Sequence, residues 1–138
     1  MNQAIVLSEQ QQYDLRALGV KALYLFGSRA QGTAGPLSDF DFGILMNKRG
    51  HSRGGKLYQK LYDVLSPSCP RTLENDVIDI VFLRDAPLEL RFHVIRYGKV
   101  LLDTDPRARL DFEEKTTLEY CDFRPLLDRQ DEAILAAI

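Results

Sequence analysis

The residues best suited to chemistry are a Gly-Ser pair, Gly27-Ser28, and two aspartates, Asp39 and Asp41, that follow after ten intervening residues. Side chains two positions apart on a strand point to the same face, so Asp39 and Asp41 would present adjacent carboxylates. Two such carboxylates repel each other unless a cation lies between them, and hard oxygen ligands suit Mg²⁺. A glycine lets the backbone approach a ligand closely, and a serine offers its N–H and hydroxyl to a phosphate oxygen. The spacing predicts a site for magnesium and a phosphate-bearing ligand.

A third carboxylate, Asp79, lies within the apolar run Val77–Leu83. An acid inside such a strand is rarely buried without a partner. If this strand lay beside the one that carries Asp39 and Asp41, the three would form a carboxylate triad. Phosphoryl transfer uses metal ions to neutralise phosphate charge, and Asp79 would then face the attacking nucleophile, either lowering its pKa through the metal or taking its proton.

The elements that must position these residues are indicated by hydrophobic periodicity and by helix caps. Together they predict an α/β fold with a small mixed β-sheet and helices packed on one face. In the helix that Pro87 opens, we expect Leu88, Phe92 and Ile95 to form the buried stripe. The predicted strands are 22–26, 39–45, 77–83 and 100–102, and the predicted helices begin near Ser8, Leu57, Pro87, Pro106 and Pro125.

Length and composition favour a single globular domain. The chain has 138 residues, of which 45% are hydrophobic and 28% charged, and its net charge is −2. That charge argues against a protein that coats nucleic acid, and neither a membrane-spanning run nor a targeting segment is evident. Cys69 and Cys121 show no metal-binding spacing and indicate reduced thiols in a cytoplasmic protein. We expect one domain over 1–138, with a core at about 8–103 and C-terminal helices at about 106–138.

Charge is distributed unevenly along the chain. Residues 47–60 contain five cations and no acid, whereas residues 103–132 contain ten acids and five bases. The simplest interpretation is two solvated faces. The alternative is that the basic segment, with Lys48, Arg49 and Arg53, closes over a triphosphate while the acidic region meets a basic partner.

The runs LFGSRAQG and SDFDFGIL resemble the signature of the nucleotidyltransferase superfamily related to DNA polymerase β. More closely, the chain resembles the minimal nucleotidyltransferases, the MNT or MntA-type antitoxins that are paired with HEPN toxins. The resemblance implies that Gly27 and Ser28 bind the triphosphate and that Asp39, Asp41 and Asp79 are catalytic metal ligands. Arg29 is a further candidate for nucleotide binding, and its alternative role is an ion pair beside the turn.

One position departs from the family pattern. Gln31 stands where many relatives have arginine, which weakens any phosphate-binding role for that side chain.

The resemblance also implies a reaction, the Mg²⁺-dependent transfer of AMP from ATP to a hydroxyl with release of pyrophosphate. One or two Mg²⁺ ions would take part. The acceptor would be a tyrosine of a cognate HEPN ribonuclease, which implies a hetero-oligomer and no membrane or nucleic-acid partner. The segment after Leu83 is too short for a separate substrate domain, so the acceptor is expected to come from another chain. Two alternatives stay open: transfer to a small molecule such as an antibiotic, and a non-catalytic antitoxin that binds its partner through the acidic C-terminal helices.

Overall fold

The fold is a four-stranded mixed sheet, seen in a computed structural model that describes residues 5–32, 40–69 and 78–136, with the backbone alone at 28, 29 and 124–136. The strand order is β3-β2-β1-β4; β1 runs antiparallel to β2 and β4, and β2 runs parallel to β3. The predicted mixed sheet is therefore confirmed. The strands are β1 (Ala22–Phe26), β2 (Phe40–Leu45), β3 (Ile78–Phe82) and β4 (Lys99–Asp103). The helices are α1 (Glu9–Ala17), α2 (Ser28–Gln31), α3 (Lys56–Leu65), α4 (Leu88–Tyr97) and α5 (Pro106–Ala136), with short 3-10 turns at Ser66–Ser68 and Leu83–Asp85.

Helices cover both faces of the sheet, so the expectation of helices on one face was wrong. Alternate strand residues point to opposite sides, and every residue of β1 is buried. One face packs against α1 and α3, and the other packs against α4 and α5. A sheet whose central strand is apolar on both sides needs cover on both sides, which explains the arrangement. The first core includes Leu15, Leu23, Phe42, Ile44, Leu61 and Leu65, and the second includes Tyr24, Leu45, Leu83, Val94 and Phe112.

Helix α1 begins where the sequence predicts it. The Ser8 hydroxyl accepts from the Gln11 backbone N–H at 3.1 Å, and the Gln11 side-chain oxygen accepts from the Ser8 N–H at 2.8 Å. This reciprocal pair is a capping box. The Gln11 amide also donates to the Val64 carbonyl at 2.9 Å, so the cap of α1 is tied to α3.

Helix α4 lies between the sheet and α5, which corrects the predicted buried stripe. Val94 is fully buried, and Leu90 and Ile95 pack on the same core. The side chain of Phe92 instead stacks on Tyr120 of α5, with ring centroids 3.8 Å apart. Because α4 has apolar neighbours on two sides, some of its apolar residues face the sheet and others face α5. A prediction of one buried stripe cannot anticipate this.

The C-terminal region forms one helix, α5, where the sequence predicted a break before Pro125. An interior proline removes one backbone donor and crowds the carbonyl four residues earlier, yet the helix continues through Pro125. Hydrogen bonds of Tyr24 and Arg109 join the start of α5 to the sheet. The Tyr24 hydroxyl donates to Glu113 at 2.8 Å, and Arg109 donates to Asp103 at 2.6 Å and to Glu113 at 3.1 Å. Burial, together with the contact to Glu113, raises the pKa of Tyr24.

Within the described part of the chain, no helix is both long and apolar enough to cross a membrane. Cys69 is buried, and its thiol donates to the Leu65 carbonyl oxygen at 3.6 Å, whereas Cys121 is exposed.

Candidate active site

The turn after β1 brings the backbone against Asp41. Phe26 pairs with Asp41 across the antiparallel ladder, and Gly27 follows directly with a φ of +75°. A β-carbon placed at Gly27 would overlap the Asp41 carboxylate. Both the positive φ and the close approach therefore require glycine here.

A single helical turn, α2, starts at the next residue. The Gly27 carbonyl accepts from the backbone N–H groups of Ala30 at 3.1 Å and Gln31 at 3.2 Å, and the buried side chain of Ala30 holds the turn on the core. The backbone of Ser28 and Arg29 thus begins α2 beside Asp41. Neither side chain is among those described, and their contact with a phosphate stays a prediction. Asp39 also lies outside the described residues.

The third predicted acid lies directly beside the second. The parallel pairing of β2 and β3 matches Asp41 with Asp79. Neighbours matched in register share a face, here the face of Gly43 and Val81. The structure therefore brings Asp41 and Asp79 together, and their role as metal ligands remains a prediction.

A basic side chain occupies one oxygen of Asp79. The Arg53 guanidinium Nη2 lies 3.0 Å from Asp79 Oδ1, and the exposed fractions of the two side chains are 71% and 37%. The contact is an ion pair without a hydrogen bond, because Asp79 Oδ1 accepts no hydrogen bond from any described residue. The Oδ1 atom itself is buried. The Asp79 charge, with Tyr58 adding to it, raises the pKa of Arg53 above its usual value.

The segment that carries Arg53 is held against the sheet edge. The backbone N–H groups of Gly50 and His51 donate to the two oxygens of Asp85, at 2.8 Å and 3.2 Å. The His51 ring is half-buried and lies on Phe82, with the two ring centroids 5.2 Å apart. The sequence analysis identified neither the Arg53–Asp79 pair nor the Asp85 contacts. The concentration of positive charge in this segment was a signal for the first, and the backbone donors to Asp85 left none.

The residues at this point of the sheet fit a divalent cation. Two carboxylates lie side by side, and the buried oxygen of Asp79 already attracts a positive group while lacking a hydrogen bond. Hard carboxylate oxygens are the ligands that Mg²⁺ takes. No group of three acids, histidines or cysteines suited to a metal occurs within 5–32, 40–69 and 78–136, and Asp39 lies outside these ranges.

Comparisons with known proteins agree with this arrangement. Residues 9–107 match the family described as "Polymerase beta, Nucleotidyltransferase". Comparison with curated proteins finds no match.

Solved structures of toxin–antitoxin complexes are similar to the chain over nearly its whole length. A toxin–antitoxin structure with AMP-PNP is 28% identical, with a TM-score of 0.69, covering 94% of this chain and 99% of that one. A MntA–HepT complex with two aspartates changed to glutamate is 25% identical, with a TM-score of 0.67 and the same coverage. A Shewanella oneidensis complex of tri-AMPylated HEPN toxin with MNT antitoxin is 22% identical, with a TM-score of 0.61, covering 92% and 98%. These matches confirm the resemblance seen in the motifs. Since the family match spans most of the chain, including Gly27, Asp41 and Asp79, the chain belongs to the polymerase β nucleotidyltransferase family.

Proposed function

We propose that the protein is a Mg²⁺-dependent nucleotidyltransferase that moves AMP from ATP to a tyrosine hydroxyl of a cognate HEPN toxin, and so acts as a cytoplasmic antitoxin. The observation that carries the proposal is the pairing of Asp41 with Asp79 at the turn where Gly27 meets the Asp41 carboxylate. It is supported by similar complexes, of which one contains AMP-PNP and another contains a tri-AMPylated HEPN toxin. The core at about 8–103 would perform the chemistry within a single domain.

The nucleotide half of the proposed site is the turn after β1. Because Gly27 has no side chain, the turn approaches the Asp41 carboxylate closely, and the Ser28 N–H and hydroxyl would donate to phosphate oxygens beside it. Arg29, one residue further along α2, would contact the triphosphate as well. Asp39, Asp41 and Asp79 would hold Mg²⁺, which when bound supplies neutralisation of the phosphate charge.

The acceptor half is centred on Asp79, on the edge strand. The acceptor hydroxyl oxygen would attack the α-phosphorus, forming a new P–O bond as the bond to pyrophosphate breaks. Asp79 would orient that hydroxyl and take its proton, which leaves AMP on the acceptor and pyrophosphate free. Arg53 must move away from Asp79 for this step, and its largely exposed side chain can turn into solvent, which leaves the buried Asp79 oxygen to Mg²⁺.

The test is mass spectrometry of a HEPN protein from the neighbouring gene after incubation with this chain and Mg-ATP. We expect one or more AMP units on a tyrosine of that protein, and we expect Asp41→Asn to abolish the gain. Asp111→Asn is the matched control, because Asp111 is an exposed acid on α5, paired with Lys115.

Two results would contradict the proposal. Tight complex formation with no mass gain would favour a non-catalytic binding antitoxin. AMP transfer to an aminoglycoside or another small hydroxyl compound, with none to the HEPN protein, would favour the small-molecule alternative.

A further inference from the structure

A small cavity opens at the outer edge of the sheet, next to Asp79. Its volume is about 190 Å³, and it lies between β3, the segment 50–53 and the start of α4. Among the described strands β3 pairs only with β2, so it is an edge strand of the described sheet, and segment 50–53 lies against it. The residues that decide its chemistry are His51, Asp79, Val81, Phe82, Pro87 and Leu90.

We propose that this cavity receives the aromatic side chain of the acceptor and directs its hydroxyl to Asp79. The inference rests on the proposed function and adds to it the place where the acceptor binds and the reason for a phenolic side chain.

The lining matches a group with an apolar body and a polar tip. Val81, Pro87 and Leu90 offer apolar surface, and the His51 imidazole, resting on Phe82, offers an aromatic one. Asp79 and Val81 share a face and are two residues apart, a separation of about 7 Å along a strand. A phenol ring lying over Val81 therefore places its hydroxyl at Asp79, while its ring edge meets an aromatic neighbour.

The volume of the cavity favours a single side chain over a whole small molecule as its occupant. Pockets that enclose small-molecule ligands usually have volumes of roughly 300–1,000 Å³. The cavity beside Asp79, at about 190 Å³, is smaller than this range and suits one side chain of a protein acceptor.

Segment 50–53 lies along this sheet edge, so an acceptor polypeptide whose ring enters the cavity would pack on that segment and on the start of α4. Arg53 stands at the entrance, and its largely exposed side chain can turn into solvent when the acceptor hydroxyl reaches Asp79.

The experiment measures AMP transfer to the HEPN protein of the neighbouring gene, with the concentrations of acceptor and ATP varied separately. Ala86→Phe fills the cavity from a half-buried position on its lining, and His51→Ala removes the aromatic wall. His93→Ala is the matched control, since this second histidine lies on α4 against Tyr97 and outside the cavity.

We expect Ala86→Phe to raise the KM for acceptor at least tenfold and to leave the KM for ATP unchanged. His51→Ala should raise the acceptor KM about two- to tenfold, the range that one aromatic contact supplies, and His93→Ala should leave both constants unchanged. Circular dichroism and thermal unfolding of each variant show that the fold is retained. If Ala86→Phe is unfolded, the acceptor KM of His51→Ala decides the question.

The outcomes separate this inference from the proposed function. Normal transfer by the wild type with an unchanged acceptor KM in both variants would overturn the cavity assignment alone. A rise in the KM for ATP would assign the cavity to nucleotide and overturn it as well. Absence of any transfer by the wild type would overturn the proposed function, and the acceptor site with it.

Discussion

The close approach of Gly27 to Asp41 can be tested by the substitution Gly27→Ala, which adds one methyl group. Gly27→Ala places an L-residue at a φ of +75°, which destabilises the folded chain by about 1–2 kcal/mol through backbone strain. The new β-carbon also overlaps the Asp41 carboxylate, and relieving that overlap adds a further 1–3 kcal/mol. We therefore expect a total loss of about 2–5 kcal/mol in the free energy of unfolding and displacement of Asp41.

The matched control lies at the other end of β1. Gly19 has a φ of +90°, and a β-carbon there would meet only the terminal methyl of Met46 at 3.4 Å. Gly19→Ala thus carries the backbone strain without a clash against the candidate site, and we expect it to lose about 1–2 kcal/mol.

Urea denaturation followed by circular dichroism gives the free energy of unfolding of both variants, and calorimetry gives their affinity for Mg-ATP. Displacing a reacting group by about 1 Å can lower a rate 100-fold, so we expect at least that loss of AMP transfer in Gly27→Ala. Gly19→Ala should retain transfer per folded molecule. If the free energy of unfolding falls equally in the two variants and both retain AMP transfer, the close contact between the turn and Asp41 is refuted.

Three further predictions concern contacts that hold α5 and segment 50–53 in place. The pKa of Tyr24 is raised in the folded chain, so the folded chain keeps the phenol proton at a pH where the unfolded chain, with a pKa near 10.0, releases it. The stability that the protonated Tyr24 contributes is therefore present below pH 10 and is lost as the pH rises above that value. Alkaline unfolding should therefore be less steep in Tyr24→Phe than in the exposed control Tyr13→Phe, and equal slopes would contradict the burial argument. Phe92→Ala should lower the free energy of unfolding by about 2 kcal/mol by removing the stack on Tyr120, whereas the half-exposed Phe123→Ala should change it by less than half as much. Asp85→Ala should release segment 50–53 and speed its cleavage by trypsin about fivefold, because two hydrogen bonds to a carboxylate are lost, while the exposed Glu89→Ala should leave the cleavage rate unchanged.

The sequence predicted the strands well because their signals are local. Alternation of Phe40, Phe42 and Ile44 with Asp41 and Gly43 indicates both a strand and its two faces, and the structure confirms the apolar side in the core. The capping box at Ser8 is equally local and is also confirmed.

The errors arose where a residue's environment depends on distant elements. Whether helices cover one face or both follows from how the strands are ordered, and the outer position of β3 is not visible in its own residues. The division of α4 between the sheet and Tyr120 has the same cause, because α5 must be in place before Phe92 has a partner. The Arg53–Asp79 ion pair joins residues with no periodic relation in the sequence, so charge alone could suggest only that this segment meets something anionic.

The sheet order indicates how such a site can bind one substrate firmly while admitting a second from another chain. Asp41 lies on β2, an inner strand that is paired on both sides, and Gly27 closes directly against it. Asp79 lies on the outer strand of the described sheet, where the described residues beside it are an exposed arginine and the lining of a small cavity. Backbone pairing on both sides resists displacement, whereas an edge strand can accept a new neighbour. On this reasoning the nucleotide half of the site is preformed, and the acceptor half is completed by the partner that brings the hydroxyl. Substitutions at Gly27 should then affect nucleotide and acceptor together, while those around His51 should affect the acceptor alone.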